Sequence, residues 1–173
     1  MLVVSKHRTA MFNILQDIYK SDLKSTLGFK GGTMAYFFYG LDRFSVDLDF
    51  DLLKNLPYQE VAKTLVPILQ KQGTLTDTKD KNFTYFFLMS HQKGTQALKV
   101  EINKKVSTGV EYGSQNFYGI DIPIQKEETA LASKILACLE RKRLASRDFF
   151  DVNYYLSKGI LPNEDYIKGR SGK

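Results

Sequence analysis

The sequence is poor in the residues that staple or anchor a chain. It holds one cysteine, Cys138, so no intramolecular disulfide and no cysteine metal cage can form. Its two histidines, His7 and His91, are too few and too far apart for a zinc site. No apolar run approaches the ~20 residues that span a bilayer. Residues 1–6 lack the apolar stretch of a secretion signal. There is no internal repeat, no low-complexity tract and no linker rich in Pro, Gly or Ser. These absences exclude a disulfide scaffold and a membrane-spanning chain. They lead to the expectation of a soluble, cytoplasmic protein.

What is present suffices for a core. The 173 residues are 43% hydrophobic and 25% charged, the composition of an ordinary globular domain. Lys plus Arg number 25 against 19 Asp plus Glu, a net charge of +6. That balance suits a polyanionic partner such as a nucleic acid or nucleotide, and equally suits solubility alone.

Residues 6–23 carry Met11, Ile14, Leu15 and Ile18 at helical spacing behind Ser5, an expected N-cap. A short apolar stretch at 27–29 meets Gly31-Gly32, and an aromatic segment follows, closed by Gly40. This reads as strand, glycine turn and short buried helix. In residues 46–52, Val46, Leu48, Phe50 and Leu52 alternate with Asp47, Asp49 and Asp51, a strand with one apolar and one acidic face. A helix is predicted over 57–72, with Pro57 in its first turn and Pro67 marking a kink or early end. Residues 83–89 and 97–102 read as paired strands across a turn at Lys93-Gly94. Residues 106–119 read as loop and 118–124 as a further short strand. Helices are predicted over 127–143 and 146–156, with a last turn from Asn163. The fold class is α+β: a mixed sheet flanked by helices, with a core over 1–124 and a helical portion over 125–173 packed on it.

The chemistry centres on Asp47 and Asp49. At i and i+2 on a strand they project from one face, about 6.5–7 Å apart at the Cα level. Two ionised carboxylates so close repel unless a cation lies between them. Magnesium, a hard ion bound by one or two carboxylates plus substrate phosphates, is the natural cation, with manganese as a substitute. Glu101, on the polar face of the 97–102 strand, supplies a third carboxylate if the two strands are neighbours. Three carboxylates can hold two ions, the arrangement for nucleotidyl transfer. Gly31-Gly32-Thr33 adds a phosphate site, since glycines let backbone amides approach an anion. Arg43 and Ser45 lie between these elements. Arg43 is open to two roles, phosphate contact or bracing of the carboxylate strand.

The motifs Gly31-Gly32-Thr33, Arg43-Phe44-Ser45-Val46-Asp47-Leu48-Asp49-Phe50 and Leu98-Lys99-Val100-Glu101-Ile102 are joined by two more. These are Lys134-Ile135-Leu136-Ala137 with Arg141, and Arg147-Asp148-Phe149-Phe150-Asp151. In this order they resemble the nucleotidyltransferases of the AbiEii/AbiGii toxin group, within the DNA polymerase β-like superfamily. The resemblance runs over about residues 27–156. It implies a two-metal nucleotidyltransferase with Asp47, Asp49 and Glu101 as metal ligands and Gly31, Gly32, Thr33, Arg43 and Ser45 on the nucleotide side. By the same likeness Lys134 reaches the triphosphate, and Asp148 and Asp151 complete the cleft. For Asp148 and Asp151 a buried ion pair holding their helix to the core is the other reading.

The likeness further implies an NTP substrate, release of pyrophosphate, transfer RNA as acceptor and an antitoxin partner. A protein or small-molecule acceptor, or a catalytically silent binding module, stand as alternatives. Lys99, Lys104, Lys105, Arg141, Lys142 and Arg143 are the basic residues that could attract an RNA backbone. Cys138 is expected to be a buried, inert thiol. His91 has no expected catalytic role.

Overall fold

In the computed structural model, which describes residues 4–90, 96–141, 143 and 145–171, helix α1 (Val4–Lys20) buries Met11, Ile14, Leu15 and Ile18 along one face. Ser5 lies inside this helix rather than at its cap. The chain then forms β1 (Leu27–Lys30), α2 (Gly31–Met34, continued by a wider π turn over Ala35–Tyr39), β2 (Leu48–Leu52) and α3 (Tyr58–Gln70). Pro57 occupies the N-cap of α3 with extended backbone, and the helix ends three residues beyond Pro67. Strands β3 (Thr74–Asp80), β4 (Thr84–Ser90), β5 (Leu98–Asn103), β6 (Tyr112–Phe117) and β7 (Ile120–Gln125) follow. Helices α4 (Glu127–Glu140), α5 (Ser146–Ser157) and α6 (Glu164–Ser171) close the chain. Ala145 is the N-cap of α5. The Asn163 side chain accepts from the Tyr166 N–H at 2.8 Å and starts α6. The turn at Lys93-Gly94, His91 and Lys142 lie outside the described residues.

The seven strands form one mixed sheet in the order β3-β4-β5-β2-β1-β7-β6. β2 runs antiparallel to β1 and parallel to β5, so the acidic strand lies near the centre. β3 and β6, at the two edges, depart from the sequence expectation. Residues 74–80 lacked any apolar period and 106–119 read as loop, yet both segments pair with a neighbouring strand. An edge strand gains hydrogen bonds from one side only and needs no buried face, so its sequence carries little pattern.

One face of the sheet is the core. Phe29, Phe50 and Ile102 stand side by side in register across β1, β2 and β5, each fully buried. Leu48, Val100 and Phe87 form a parallel row. Burying such a side chain contributes about 1.5–3 kcal/mol, enough to lock the register of β2. That register turns the alternate residues to the opposite face. There Lys30, Asp49 and Glu101 form one row, and Gly28, Asp51 and Asn103 the next. No described helix is long and apolar enough to cross a membrane.

Candidate active site

Two buried side chains clamp the approach to β2. Thr33, fully buried, donates its hydroxyl to the backbone oxygen of Asp47. His7 on α1 donates Nε2–H to the backbone oxygen of Val46 at 2.8 Å. Asp47 thus sits just before β2 with its carbonyl held by α2 and its carboxylate free to face the Lys99 side of β5. The Thr33 hydroxyl is committed to this tie, so any contact of Thr33 with phosphate would use its backbone.

The three expected carboxylates share one face. Asp49 is the in-strand neighbour of Glu101 across β2 and β5. Lys99 Nζ lies 3.3 Å from Asp47 Oδ2 and 3.0 Å from Glu101 Oε2, bridging the two. Lys81 Nζ approaches the other Glu101 oxygen at 3.6 Å and rests on the Phe86 ring. Burial alone would lower the Lys99 pKa. The hydrogen bond to Glu101 and the charges of Asp47 and Asp49 outweigh it and raise the pKa, so the ammonium stays charged. Asp49 makes no ion pair among the described residues. Burial pushes its pKa above the usual carboxylate range, Lys99 opposes this, and Asp47 reinforces it.

The set suits a hard divalent ion in donor chemistry, since all its donors are carboxylate oxygens and a cation already lies between two of them. Among the described residues, however, no three Asp, Glu, His or Cys side chains stand close enough to grip an ion as they are. The Lys99 ammonium is what lies between Asp47 and Glu101.

Gly31 joins β1 to α2 with φ +83°, a left-handed backbone that only glycine adopts freely. A Cβ here would lie 2.6 Å from Asp49 Oδ2, so the turn and the carboxylate are in direct apposition. Beside it, Arg43 Nη2 and Ser45 Oγ each lie 2.9 Å from where a Gly32 Cβ would stand. Lys30, Gly31, Asp49, Lys134, Asp148 and Tyr155 line part of a cleft of about 460 Å³ between the polar sheet face and helices α4 to α6. Of the three carboxylates Asp49 alone lines it; Asp47 and Glu101 lie alongside.

Arg43 braces helix α5 and not the carboxylate strand. Its guanidinium forms two hydrogen bonds with Asp151 on α5, at 2.5 and 2.6 Å. Lys134 on α4 pairs with Asp151 at 2.8 Å and with Asp148 at 3.2 Å, and Arg141 pairs with Asp148 at 2.5 Å. Asp148 and Asp151 are both buried. Burial would raise the Asp151 pKa, but Arg43 and Lys134 prevail and lower it. Asp151 thus ties α5 to the core through Arg43, whereas Asp148 pairs within the C-terminal helical portion, and Lys134 lines the cleft.

Sequence reasoning missed a second polar network. Asp51, 3% exposed, accepts from Tyr112 Oη at 2.7 Å and Asn103 Nδ2 at 3.0 Å, and pairs with Lys30 at 2.5 Å. Tyr112 reaches it because Gly28 has no side chain: a Cβ there would stand 2.4 Å from the ring. The alternation of Asp51 with its neighbours was the one signal available. Lys99 was visible only as a basic residue for RNA, and Lys104 and Arg141 are likewise committed, to Asp80 and Asp148. Cys138 is half-buried rather than buried, and burial together with the Asp148 charge raises its thiol pKa.

Solved structures with the same fold are nucleotidyltransferases and proteins like them. A protein from H. pylori, described provisionally as a nucleotidyltransferase, is 27% identical with a TM-score of 0.64, over 87% of this chain and 67% of that one. JHP933 from Helicobacter pylori is 25% identical with a TM-score of 0.63, over 91% and 68%. ANT(2″)-Ia in complex with adenylyl-2″-tobramycin shares the fold alone, at 11% identity and a TM-score of 0.58 over 87% of each chain. No curated protein matches the sequence. The family described as nucleotidyl transferase AbiEii toxin, of type IV toxin–antitoxin systems, matches residues 13–170, which span the glycine turn, the carboxylate strands and the Lys134–Asp151 segment alike. With the sheet, the Asp49–Glu101 register and that match in agreement, the chain belongs to the AbiEii family of nucleotidyltransferase toxins.

Proposed function

We propose that this protein is a magnesium-dependent nucleotidyltransferase that takes an NTP, leaves an NMP on a hydroxyl of transfer RNA and releases pyrophosphate. The observation that carries the reading is the juxtaposition of Asp47, Asp49 and Glu101 on one sheet face with the Gly31 turn pressed against Asp49. Two divalent ions held by these carboxylates, magnesium or manganese, would neutralise phosphate charge and acidify the attacking hydroxyl.

The chain's own groups have separable parts in this proposal. Backbone amides of Gly31, Gly32 and Thr33 hold the phosphates, and a side chain at 31 would press on Asp49. Lys134 lies at the cleft wall, paired with two buried aspartates that aim it. It contacts the triphosphate. Asp148 and Asp151 act through Lys134, Arg141 and Arg43, as positioning residues. Arg43 fixes the loop that delivers Asp47 through its pair with Asp151, and Ser45, beside Gly32, is on the nucleotide side. An antitoxin that binds or opposes this activity is the partner expected from the family.

The experiment is incubation of the protein with each labelled NTP, Mg²⁺ and total RNA. Label on RNA, absent in Asp49→Ala, is the expected result, with a loss of at least about a hundredfold, the scale on which single charge-stabilising groups act. ANT(2″)-Ia, with adenylyl-2″-tobramycin on the same fold, favours a small-molecule acceptor as the second reading. Label confined to protein or to a small molecule would replace the RNA acceptor. No transfer with any nucleotide or metal would refute nucleotidyl transfer.

A further inference from the structure

Lys99 is an unusual neighbour for the expected metal ligands. Its Nζ stands 3.3 Å from Asp47 and 3.0 Å from Glu101, while its own strand places it two residues before Glu101 on the same face. All three side chains are partly shielded: Lys99 is 30%, Asp47 22% and Glu101 27% exposed. In such surroundings like charges repel more strongly than in water, and an unneutralised pair of carboxylates beside Asp49 would be unfavourable. A lysine ammonium carries one charge on a flexible stem and donates hydrogen bonds, so it can neutralise this group and still leave.

We infer that Lys99 is a built-in counter-ion, which occupies the place of the divalent cation in the nucleotide-free protein and yields it when metal and triphosphate load together. This deepens the metal reading above and rests on it. Carboxylates that bind a divalent ion no longer need the ammonium, and repulsion between the two cations drives Lys99 away. The displaced ammonium remains at the edge of the site, where the nearest uncompensated anion is the incoming polyphosphate. Metal and nucleotide therefore favour each other's binding, because each removes part of the cost of moving Lys99. Metal alone has to compete with a tethered cation and binds weakly.

The direct test measures Mn²⁺ binding to nucleotide-free protein by electron paramagnetic resonance, with thermal melts in EDTA and in Mn²⁺. Lys99→Met is expected to bind Mn²⁺ at least about tenfold more tightly than the native chain, since the competing cation is gone. It should melt lower in EDTA, where Asp47 and Glu101 are left facing each other, and gain more melting temperature from Mn²⁺ than the native chain. Lys99→Arg keeps the charge and should bind Mn²⁺ as weakly as the native protein. Lys99→Met should also raise KM for NTP more than it lowers kcat. If Lys99→Met binds Mn²⁺ no more tightly while Asp47→Asn abolishes binding, the counter-ion inference is overturned and the metal reading stands. If neither native protein nor Lys99→Met binds Mn²⁺ and no NTP is turned over, both fall. Lys99→Gln, polar and near in size, repeats the comparison should the methionine variant not fold.

Discussion

Arg43 and Asp151 lie 108 residues apart and are joined by two parallel hydrogen bonds of 2.5 and 2.6 Å. The pair fastens the loop before the carboxylate strand to helix α5. Asp151 is fully buried and also receives Lys134, so it is neutralised by two cations from two different elements. Removing one partner of such a group leaves a buried charge partly unpaired. Arg43→Met is therefore expected to cost about 3 kcal/mol of stability. Arg43→Lys keeps the charge but loses the planar fork, and should cost about 1.5 kcal/mol. Urea unfolding of the three proteins checks the order, and equal stability of all three would contradict it.

The pH dependence has two opposed parts. The Asp151 pKa is lowered in the fold, so its stabilisation is present above the unfolded carboxylate value of ~3.9 and is lost as pH falls through the folded value. The Asp49 pKa is raised, so its contribution is present below the unfolded value and is lost as pH rises through the folded one. In metal-free buffer Asp49→Asn should thus melt higher than the native chain at pH 7 and equal to it near pH 3. Asp151→Asn should melt lower at pH 7, with the gap closing in acid. A lower melting temperature for Asp49→Asn at pH 7 would contradict the burial argument.

Gly31→Ala tests the apposition of turn and carboxylate. The φ of +83° alone costs an L-residue about 1–2 kcal/mol, and the new methyl would have to push Asp49 aside. Stability should fall by at least that amount, and nucleotidyl transfer with it. Gly113→Ala is the control: its Cβ would meet only Lys126, at 3.9 Å, so the change should be near neutral. Equal effects of the two substitutions would contradict both the backbone strain at Gly31 and its apposition to Asp49.

Two buried tyrosines should respond in opposite directions to loss of the hydroxyl. The Tyr155 hydroxyl is buried with no hydrogen-bond partner among the described residues, and a buried unsatisfied group costs about 1–3 kcal/mol. Tyr155→Phe should therefore raise the melting temperature. The Tyr112 hydroxyl donates to Asp51, so Tyr112→Phe should lower it by removing a hydrogen bond to a buried charge. Differential scanning calorimetry distinguishes the two, and a loss of stability in Tyr155→Phe would show that the hydroxyl has a partner in solution.

Much of this arrangement was legible along the chain. The alternation of Leu48, Phe50 and Leu52 with Asp47, Asp49 and Asp51 requires a strand with one buried face, because a one-residue slip would bury the acids. Leu98, Val100 and Ile102 impose the same rule on Glu101. Gly31-Gly32 marked the turn, and the i, i+3 spacing of Asp148 and Asp151 placed them on one helix face. Strands β3 and β6 escaped notice because each lies at a sheet edge, where pairing with a single neighbour and not burial makes the strand.

The local pattern alone therefore determined which residues are carboxylates facing away from the core, and on which strands. Tertiary structure decided what neutralises them. Lys99 between Asp47 and Glu101, Tyr112 and Lys30 on Asp51, and Arg43 and Lys134 on Asp151 all arise from strand order, register and helix docking. Side-chain periodicity reports only burial, which each residue carries with it. A charge pair needs two positions brought within about 4 Å, and only the packed sheet and helices set that distance.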